Sequence, residues 1–417
     1  MQLKTILNLV EPFKSFVYEE PKMAGSAANR TIEVPIRPRA NSRPVCSGCS
    51  RKGPVYDHLP QRRFEFVPLW QIPMFFVYAM RRVNCPRCGV TVERVPWAIG
   101  KCHQTTTHRW FLAQWAKRLS WNEVACIFHT SWRTVFESVK FAVFWGIFNR
   151  KLDGIEAIGV DEIQWHRGHH YLTLVYQIED GMKRLLWVAE DRTEQSLRGF
   201  FQFLSVEARQ SIRFVCSDMC QTYLNVIAEQ IGHAVHVLDR FHIVKNMNKG
   251  LDQVRREEVA QLKRDGYEPV LKHSRWCLLK RPENRTEKQT VKLAELLQYN
   301  LKSVRSHLSV VDFQRFWEYT SPFWAGKFLD QWCTRTLRSR IEPMQKVAAS
   351  LRAHRDLILN WFRARGTISS GAVEGFNNKA KLTTRKAYGF RTYEAIEIAL
   401  YHTLGKLPEP KFTHEFW

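Results

Sequence analysis

Three acidic residues that lie far apart in the chain have the settings expected of a divalent cation site. Asp161 follows an apolar run that ends at Val160, and Asp218 follows a second run that ends at Ser217. Carboxylates at the ends of buried strands meet in a crevice, where like charges raise one another's pKa unless cations neutralise them. Glu374 lies in a polar segment downstream. In a chain this basic, the three acids predict a divalent metal site and phosphodiester chemistry.

Two pairs of cysteines have the spacing of metal-binding knuckles. Cys46-Ser47-Gly48-Cys49 and Cys85-Pro86-Arg87-Cys88 each place two residues between two thiols. Residues 62–67 and 74–83 can form a hairpin between them. Four thiolates suit one tetrahedral, structural Zn²⁺ ion, and the alternative is a set of unrelated buried thiols. The predicted ligands are Cys46, Cys49, Cys85 and Cys88.

Cys102 and His103 form a further pair of metal-ligand types beyond the second knuckle. They are a possible extra ligand pair. Packing or solvent exposure is the preferred explanation.

Residues 119–129 and 133–143 have helix-turn-helix form, with residues 130–132 as the turn. Ser120 can cap the first helix, and Glu123 can complete a capping box. The second helix would then present a face to the major groove of DNA. The alternative is an ordinary helical pair that links two domains. The residues expected to face outward are Arg133, Thr134, Glu137 and Lys140.

A helix is predicted to begin near Glu374, between Gly371 and Gly375, with Ser369 or Ser370 as its cap. Polar and basic side chains on its next turns are suited to contact DNA phosphates beside the acids. The alternative is that Glu374 only complements the helix dipole. The predicted DNA contacts on this helix are Asn378, Lys379, Lys381 and Arg385.

His242 closes the segment Asp239-Arg240-Phe241-His242, which follows a predicted strand. Its imidazole could contact the scissile phosphate or a flanking base. It could equally cap the helix that begins there. Both interpretations remain open at this point.

The elements that would position the acids lie in residues 155–245. The runs 155–163, 170–178 and 184–189 are apolar and β-branched and predict an antiparallel meander. Strands at 212–217 and 234–238 then alternate with helices, which gives the order βββαβαβα. This is the order of a ribonuclease-H-like sheet, in which the ends of the first and fourth strands lie side by side. Asp161 and Asp218 occupy those two ends.

The predicted fold class is multidomain α+β. A zinc-binding module and a helix-turn-helix would precede a ribonuclease-H-like α/β catalytic domain that a helical insertion interrupts. The tryptophans of the insertion are predicted core anchors: Trp276, Trp317, Trp324, Trp332 and Trp361. The predicted segments are 1–44 as leader or linker, 45–105 as zinc module, 106–150 as helix-turn-helix, 151–258 as the first catalytic part, 259–365 as insertion and 366–417 as the C-terminal helical part.

The composition of the chain indicates which class of partner it binds. The chain has 417 residues, 45% of them hydrophobic, and a formal net charge of +23. Its length predicts two to four domains, and its charge favours a polyanion. No apolar run has transmembrane length, and the first residues do not read as a signal peptide. Six cysteines outside the knuckles follow no pattern, which suits a reducing cytoplasm.

These features together resemble the bacterial insertion-sequence DDE transposases of the ISL3 type, over about residues 40–405. The resemblance rests on both knuckles, the helix-turn-helix, Gly159-Val160-Asp161-Glu162, Asp218 with Tyr223, Asp239-Arg240-Phe241-His242, residues 370–379 and Tyr388-Gly389-Phe390-Arg391. It implies that Asp161, Asp218 and Glu374 form the acid triad, with His242 nearby. Residues 217–221 differ from the sequence that this family usually has after the second acid of the triad. Glu162 and Asp191 are the acids most easily mistaken for ligands.

The resemblance implies a mobile-element enzyme for DNA transposition and DNA recombination. Two Mg²⁺ ions, or Mn²⁺, would serve the triad, and one Zn²⁺ would be structural. Double-stranded DNA, as terminal inverted repeats and as target, would be the partner of a homodimer or larger assembly at the bacterial nucleoid. The alternatives are a related nuclease or resolvase, and a domesticated DNA-binding regulator.

Overall fold

The chain divides into two units, and the computed structural model describes residues 2–27, 29–267, 270–364 and 370–411. The first unit comprises Met1–Arg150 and Lys386–Trp417, and the second comprises Lys151–Arg385. The C-terminal segment therefore groups with the N-terminal residues, whereas the sequence placed residues 366–417 with the catalytic part. Both units mix helices and strands. Among the described residues, no helix is both long and apolar enough to cross a membrane.

The first unit is built on a six-stranded sheet. The strands are β1 (Phe16–Tyr18), β2 (Lys22–Ala24), β3 (Thr31–Pro38), β4 (Val55–Leu69), β5 (Ile72–Cys85) and β6 (Gly89–Val92). Their order is β1-β3-β5-β4, with β2 on β3 and β6 on β5. The long antiparallel hairpin of β4 and β5 confirms the hairpin predicted between the knuckles. On β4, buried Phe64 and Phe66 alternate with polar residues, as a half-buried strand requires.

Residues 1–44 were predicted to be a leader or linker, and the structure corrects this. They form helix α1 (Leu3–Val10) and strands β1 to β3. Ile32, Val34 and Ile36 are buried on one face of β3, where they join Leu7 in the core. The prolines that suggested a linker do not prevent pairing, since Pro35 lies opposite Val77 of β5. The period-two burial of the branched residues decides the local structure.

Four helices complete the first unit: α2 (Thr106–Arg118), α3 (Trp121–Ile127), α4 (Trp132–Asn149) and α16 (Tyr393–Leu404). Helix α16 packs against α4 through a largely apolar surface. The ring of Phe390 lies 5.7 Å from that of Trp121, centroid to centroid. This apolar surface explains why the C-terminal segment belongs to the first unit.

The second unit contains a five-stranded sheet. Its strands are β7 (Ala157–Gln164), β8 (Tyr171–Glu179), β9 (Met182–Glu190), β10 (Phe214–Ser217) and β11 (Val235–Leu238), in the order β11-β10-β7-β8-β9. The antiparallel meander of β7, β8 and β9 is confirmed. The parallel pairing of β7 with β10, the first and fourth strands, is confirmed as well.

Helices α5 (Glu194–Phe203), α6 (Val206–Ser211) and α7 (Gln221–Ile231) join these strands and cover one face of the sheet. The predicted order βββαβαβα has one helix between the third and fourth strands, and the structure has two there, α5 and α6. Leu204 is the C-cap of the first helix, and Ser205 caps the second, since its side chain accepts a hydrogen bond from the Ala208 amide. A serine at such a position favours a helix start over continuation.

A helical region packs against the sheet at β11. It comprises α8 (Arg240–Arg264), α9 (Arg275–Leu279), α10 (Glu287–Leu296), α11 (Lys302–Gln314), α12 (Pro322–Leu337), α13 (Glu342–Ala353) and α14 (Arg355–Arg363), with 3₁₀ turns at Pro282–Asn284 and Arg315–Glu318. Its core includes Leu238 of β11 and Met247 of α8, so sheet and helices share one hydrophobic cluster. Helix α15 (Ser370–Lys386) follows.

The tryptophans of the helical region differ in burial. Trp317 and Trp332 lie in the core, as predicted, and Trp361 packs against it. The prediction that Trp276 and Trp324 are core anchors is wrong, because their side chains are 51% and 55% exposed. Both lie near the start of a helix, at α9 and α12, where the residues that follow them, such as Cys277 and Ala325, take the buried positions.

Candidate functional site

Three aspartates lie in one row across neighbouring parallel strands. Cys216 of β10 pairs with Gly159 of β7, and the same register carried two residues further sets Asp218 beside Asp161. On the other side of β10, Ser217 pairs with Leu238. The Asp239 amide donates to the Ser217 carbonyl at 2.8 Å, which extends this pairing past the strand end. The first and fourth strands thus lie side by side as predicted, and the pairing of β11 with β10 adds Asp239 as a third acid in the same row.

The sequence did not single out Asp239 for this role. The signal was present, because each of the three parallel strands carries an aspartate at or just beyond its apolar run. The structure also corrects the prediction that Asp161 lies at the end of the first strand. It lies within β7, which continues to Gln164, and is only 5% exposed.

Burial and neighbouring acids raise the pKa of Asp218 and Asp239. Burial raises the pKa of Asp218, and the charge of Asp161 raises it further against the opposing effects of the Cys220 amide and His242. Burial raises the pKa of Asp239 to about 6, and the charges of Asp161 and Glu374 contribute in the same direction. Neighbouring carboxylates of this kind favour either protonation or a bound cation.

His242 supplies positive charge to this cluster. Its Nε2 atom lies 3.6 Å from Asp161 Oδ2. Burial lowers its pKa, but the contact with Asp161 and the charges of Asp239 and Asp218 outweigh burial and leave the pKa raised. The helix-capping interpretation of His242 is wrong, because Asp239 caps α8 by accepting a hydrogen bond from the Phe241 amide at 2.8 Å. The interpretation as a phosphate or base contact stays a prediction.

Glu374 is exposed on α15. Its charge acts on Asp239, which places it on the same side as the cluster. It does not complete a tight ligand group with Asp161 and Asp218. In the described ranges, only the four knuckle cysteines bring three or more His, Cys, Asp or Glu ligand atoms close enough for one ion. The sequence-predicted triad is thus two acids in a row and a third on an adjacent helix.

Asn377 links that helix to Asp161, which the sequence did not reveal. Its side-chain amide donates a hydrogen bond to Asp161 Oδ2. Its carbonyl oxygen accepts one from the Tyr176 hydroxyl at 3.0 Å. Asn377 lies one helical turn after Glu374, in the polar run that drew attention to this segment. Which amide of the run turns inward depends on the docking of the helix, and composition alone does not determine it.

Glu162 and Arg192 form a second charged pair beside the row. Arg192 Nη1 lies 2.8 Å from Glu162 Oε1, and Glu162 Oε2 is buried without a hydrogen-bond partner in the described part of the chain. Burial raises the pKa of Glu162, and Asp218 and Asp161 raise it further. Asp191 is exposed and has a φ of 66°. The side-chain oxygens of Asp161, Asp218, Asp239 and Glu162 are ligands of the type that Mg²⁺ and Mn²⁺ prefer.

The four knuckle cysteines come together as predicted. Their Sγ atoms all lie within 4.8 Å of one another. A tetrahedral Zn²⁺ site with bonds of about 2.3 Å separates its sulfurs by roughly 3.8 Å. A Cβ on Gly48 would lie 3.2 Å from Cys88 Sγ, so the first knuckle passes close to the second. Gly89 has a φ of +72°, which a glycine adopts without strain. This donor set fits zinc.

The chemistry of the cluster supports the same ion. A hydrogen bond from the Thr91 side chain, helped by backbone amides, lowers the pKa of Cys46 to about 6. The thiolate is the form that binds metal. The core beneath the knuckles is small and is limited to Cys46, Val83 and Cys85, with Cys49 packed against it. Cys102 and His103 do not join the four-cysteine group.

Comparison with known proteins identifies the family. A family model for DDE transposases of the ISL3 type, described as "Transposase", matches residues 158–400. The chain belongs to this transposase family. The chain is 30% identical over 372 residues to the transposase for insertion sequence element IS1001 of Bordetella parapertussis, covering 88% of this chain and 89% of that one. It is also 30% identical over 401 residues to the transposase for IS1557 of Mycobacterium tuberculosis, covering 89% and 88%. Family and relatives together support a function in insertion-sequence transposition.

In this transposase, α3 and α4 form the predicted pair of helices. Ser120 and Glu123 make the capping box that the sequence predicted. The second helix begins at Trp132, one residue before the predicted start, because Ser131 caps it by accepting a hydrogen bond from the Thr134 amide. The pair thus has the short connection typical of a helix-turn-helix.

The predicted groove residues of the transposase differ in their surroundings. Arg133 is exposed at the start of α4. The Thr134 hydroxyl lies 2.8 Å from that of Ser131 and takes part in the helix cap. Lys140 forms an ion pair with Glu394. Of the three, Arg133 is therefore the side chain best placed for an external ligand.

The predicted phosphate contacts follow Glu374 along α15 and all four are exposed: Asn378, Lys379, Lys381 and Arg385. The Lys379 ammonium lies 5.8 Å from the centre of the Phe376 ring. Phe376 itself is buried against Tyr176, with ring centres 4.7 Å apart. The helix thus has one face buried in the second unit and one basic face in solvent.

Proposed function

We propose that this transposase binds the ends of an insertion sequence and catalyses Mg²⁺-dependent DNA cleavage and strand transfer. Asp161, Asp218 and Glu374 would be the catalytic acids that hold the metal ions. The observation that carries the proposal is the register of β7 and β10, which sets Asp161 beside Asp218. A cluster of buried acids in a chain of net charge +23 is otherwise difficult to explain.

The strand order supports a ribonuclease-H-like catalytic domain. Three antiparallel strands are followed by two parallel strands on the side of the first, in the order β11-β10-β7-β8-β9. Helices connect the last strands, and a helical region lies between them and Glu374. In open sheets of this kind, ligands bind at the carboxyl ends of parallel strands where the strand order reverses. Asp161, Asp218 and Asp239 lie in that region.

Different residues of the chain would have different roles in the reaction. Bound Mg²⁺ or Mn²⁺ ions would activate the attacking oxygen and stabilise the leaving oxygen of an in-line displacement. His242, with a raised pKa, would hold a proton facing Asp161 and offer a positive charge to a phosphate. The exposed basic residues of α15 would grip the DNA backbone. The zinc knuckles and the α3–α4 pair would recognise the element's ends.

A cleavage and joining assay tests this function. Purified protein is incubated with Mg²⁺, a labelled duplex that carries an end of the element, and a target plasmid. We expect cleavage at the end and covalent transfer of the labelled strand into the plasmid. The Asp161→Asn protein should bind the duplex but neither cleave nor join it. Cleavage without any joined product would indicate a nuclease or resolvase instead. Binding without cleavage by the wild-type protein would indicate a DNA-binding regulator.

A further inference from the structure

We infer that Asn377 is a positioning residue that fixes the orientation of Asp161 for metal binding and couples that orientation to helix α15. This inference rests on the proposed function, since it assigns Asp161 to a metal site. It concerns an amide that does not itself reach DNA or the reacting atoms. The assignment follows from a chain of contacts that starts in the sheet and ends at Asp161.

The first step is the docking of α15 on the sheet. Val373 of the helix lies against Gly159 of β7, two residues before Asp161. The ring of Phe376 stacks on that of Tyr176 of β8 at 4.7 Å, with an interplanar angle of 18°. Both contacts are buried. They hold the first turns of α15 against the strands that carry Asp161.

The second step is the orientation of the Asn377 amide. The Tyr176 hydroxyl is a donor and lies 3.0 Å from Asn377 Oδ1. This contact leaves the Nδ2 hydrogens of Asn377 facing Asp161 Oδ2, to which they donate. Tyr176 is fully buried and Asn377 is 7% exposed, so water does not compete for these groups. The tyrosine thus selects which end of the amide meets the carboxylate.

The third step is the effect on Asp161. Its Oδ1 accepts a hydrogen bond from the Glu162 amide at 2.8 Å, and its Oδ2 accepts the one from Asn377. One hydrogen bond on each oxygen fixes the plane of the carboxylate. Each oxygen retains lone pairs for a further ligand. Partners that orient a metal ligand in this way typically change metal affinity or activity by about 10–100-fold when they are removed.

The geometry also links two of the proposed catalytic acids. Glu374 lies one turn before Asn377 on α15. A hydrogen bond from this helix to Asp161 therefore sets the distance between the strand acid and the helix acid. Loss of the amide would loosen both ligands together, with no direct contact to Glu374.

The test uses the full-length protein and Mn²⁺ as the probe, with free ion measured by electron paramagnetic resonance. Asn377→Leu keeps the size of the side chain and removes both hydrogen bonds. Tyr176→Phe removes only the hydroxyl that orients the amide. Val226→Ala is the control, since Val226 is fully buried on α7 and takes no part in the contacts between α15 and the sheet. Asp161→Asn marks the loss of the site itself.

We expect Asn377→Leu to bind Mn²⁺ about 10–100-fold more weakly than wild type. Tyr176→Phe should bind more weakly to a smaller degree, and Val226→Ala should bind as wild type does. The Mn²⁺ concentration for half-maximal end cleavage should rise in the same order, with DNA binding unchanged. A purely structural role would lower thermal stability and leave metal affinity unaltered. Tyr176→Phe provides the answer if Asn377→Leu does not fold.

Three results would overturn the inference. Unchanged Mn²⁺ affinity in Asn377→Leu or, failing that, in Tyr176→Phe would remove the role of Asn377 and leave the proposed function intact. An equal loss in Val226→Ala would assign the effect to a general loss of core packing. If the wild type binds no more Mn²⁺ than Asp161→Asn, the proposed metal site fails and the positioning role fails with it.

Discussion

Gly159 and Val373 meet so closely that a Cβ on the glycine would lie 2.4 Å from Val373 Cγ2. The glycine lies two residues before Asp161, and the valine lies immediately before Glu374. The missing side chain lets α15 approach β7 and brings the strand acid and the helix acid towards one another. Close approach of two elements is a common reason for glycine within a strand.

The first prediction follows from this contact. Gly159→Ala should lower the free energy of unfolding by about 1–3 kcal/mol, as overpacking of a core does. It should also slow end cleavage, because α15 must move away from β7. Denaturant unfolding and the cleavage assay measure the two effects. The double variant Gly159→Ala with Val373→Ala should recover part of both, since the smaller residue restores space. An unaffected single variant would contradict the importance of this contact.

The β-sheet that carries the aspartates could be predicted from sequence because its signals are local. Apolar β-branched runs fixed β7 to β11 within a few residues, and capping residues such as Ser120 placed helix starts. Asn377 and Glu374 differ in this respect. Both lie in one polar helix start, and only the docking of α15 through Val373 turns one inward and leaves the other exposed. The orientation of these two side chains depends on tertiary packing, which leaves no periodic pattern in the sequence.

The role of residues 1–44 shows a second limit. The prolines of this segment suggested a linker, but Pro35 occupies β3 opposite Val77 of β5. Pairing between strands this far apart in the chain depends on which strand edge is available. The prolines of the segment carry no information about that edge. The C-terminal helix α16 illustrates the same point, because its partner α4 lies in the first unit.

The second prediction concerns zinc. The purified protein should contain about one Zn²⁺ ion per chain, because the knuckles have too small a core to organise themselves. Cys85→Ser should lower the zinc content and the thermal stability, as measured by elemental analysis and thermal unfolding. Cys126→Ser is the control, since Cys126 is exposed and outside the four-cysteine group. Zinc-free protein that is well folded and binds the element's ends fully would argue against a structural metal.

The third prediction concerns the acids. Asp161→Asn, Asp218→Asn and Glu374→Gln should each abolish cleavage in Mg²⁺ and leave binding to the element's ends intact. The carboxylates serve the metal, whereas most affinity for DNA comes from phosphate contacts elsewhere. Cleavage rates and binding isotherms measure the two properties. Asp191→Asn should cleave normally, and its φ of 66° is one that asparagine tolerates. Near wild-type cleavage by one of the three acid variants would remove that residue from the triad.

The fourth prediction concerns Asp239 and pH. Its pKa is raised from the ordinary 3.8 to about 6, so the folded state holds this proton more tightly than the unfolded state. Ionisation of Asp239 therefore destabilises the fold, and stability should fall as pH rises from about 4 to 6. Asp239→Asn removes this effect and keeps a residue that caps helices well. We expect the variant to match wild type near pH 4.

Above pH 6 the Asp239→Asn protein should be more stable than wild type by about 2–3 kcal/mol. Denaturant unfolding without added Mg²⁺ at several pH values measures the difference. Added Mg²⁺ should reduce the difference if the cation neutralises this group of acids. A constant difference between the two proteins across the pH range would show that Asp239 titrates normally.

The last prediction concerns the division of DNA recognition between two kinds of basic residue. Arg133 is exposed at the start of α4, where a contact to a base edge would carry about 1–3 kcal/mol of discrimination. Arg133→Ala should therefore reduce the preference for the cognate end over scrambled DNA. Lys379 is exposed on α15, where it would contact phosphate. Lys379→Ala should weaken binding to both duplexes alike, lower the salt dependence by about one counterion and slow cleavage.

Lys140 provides the internal comparison for these two residues. It lies on the same helix as Arg133, but its ammonium is already paired with Glu394. Lys140→Ala should therefore change discrimination less than Arg133→Ala does. Binding isotherms on cognate and scrambled duplexes at several salt concentrations measure all three variants. If Arg133→Ala weakens binding to both duplexes equally, then α3 and α4 form a structural bridge. The zinc knuckles would in that case be the better candidate for the part of the protein that reads the element's ends.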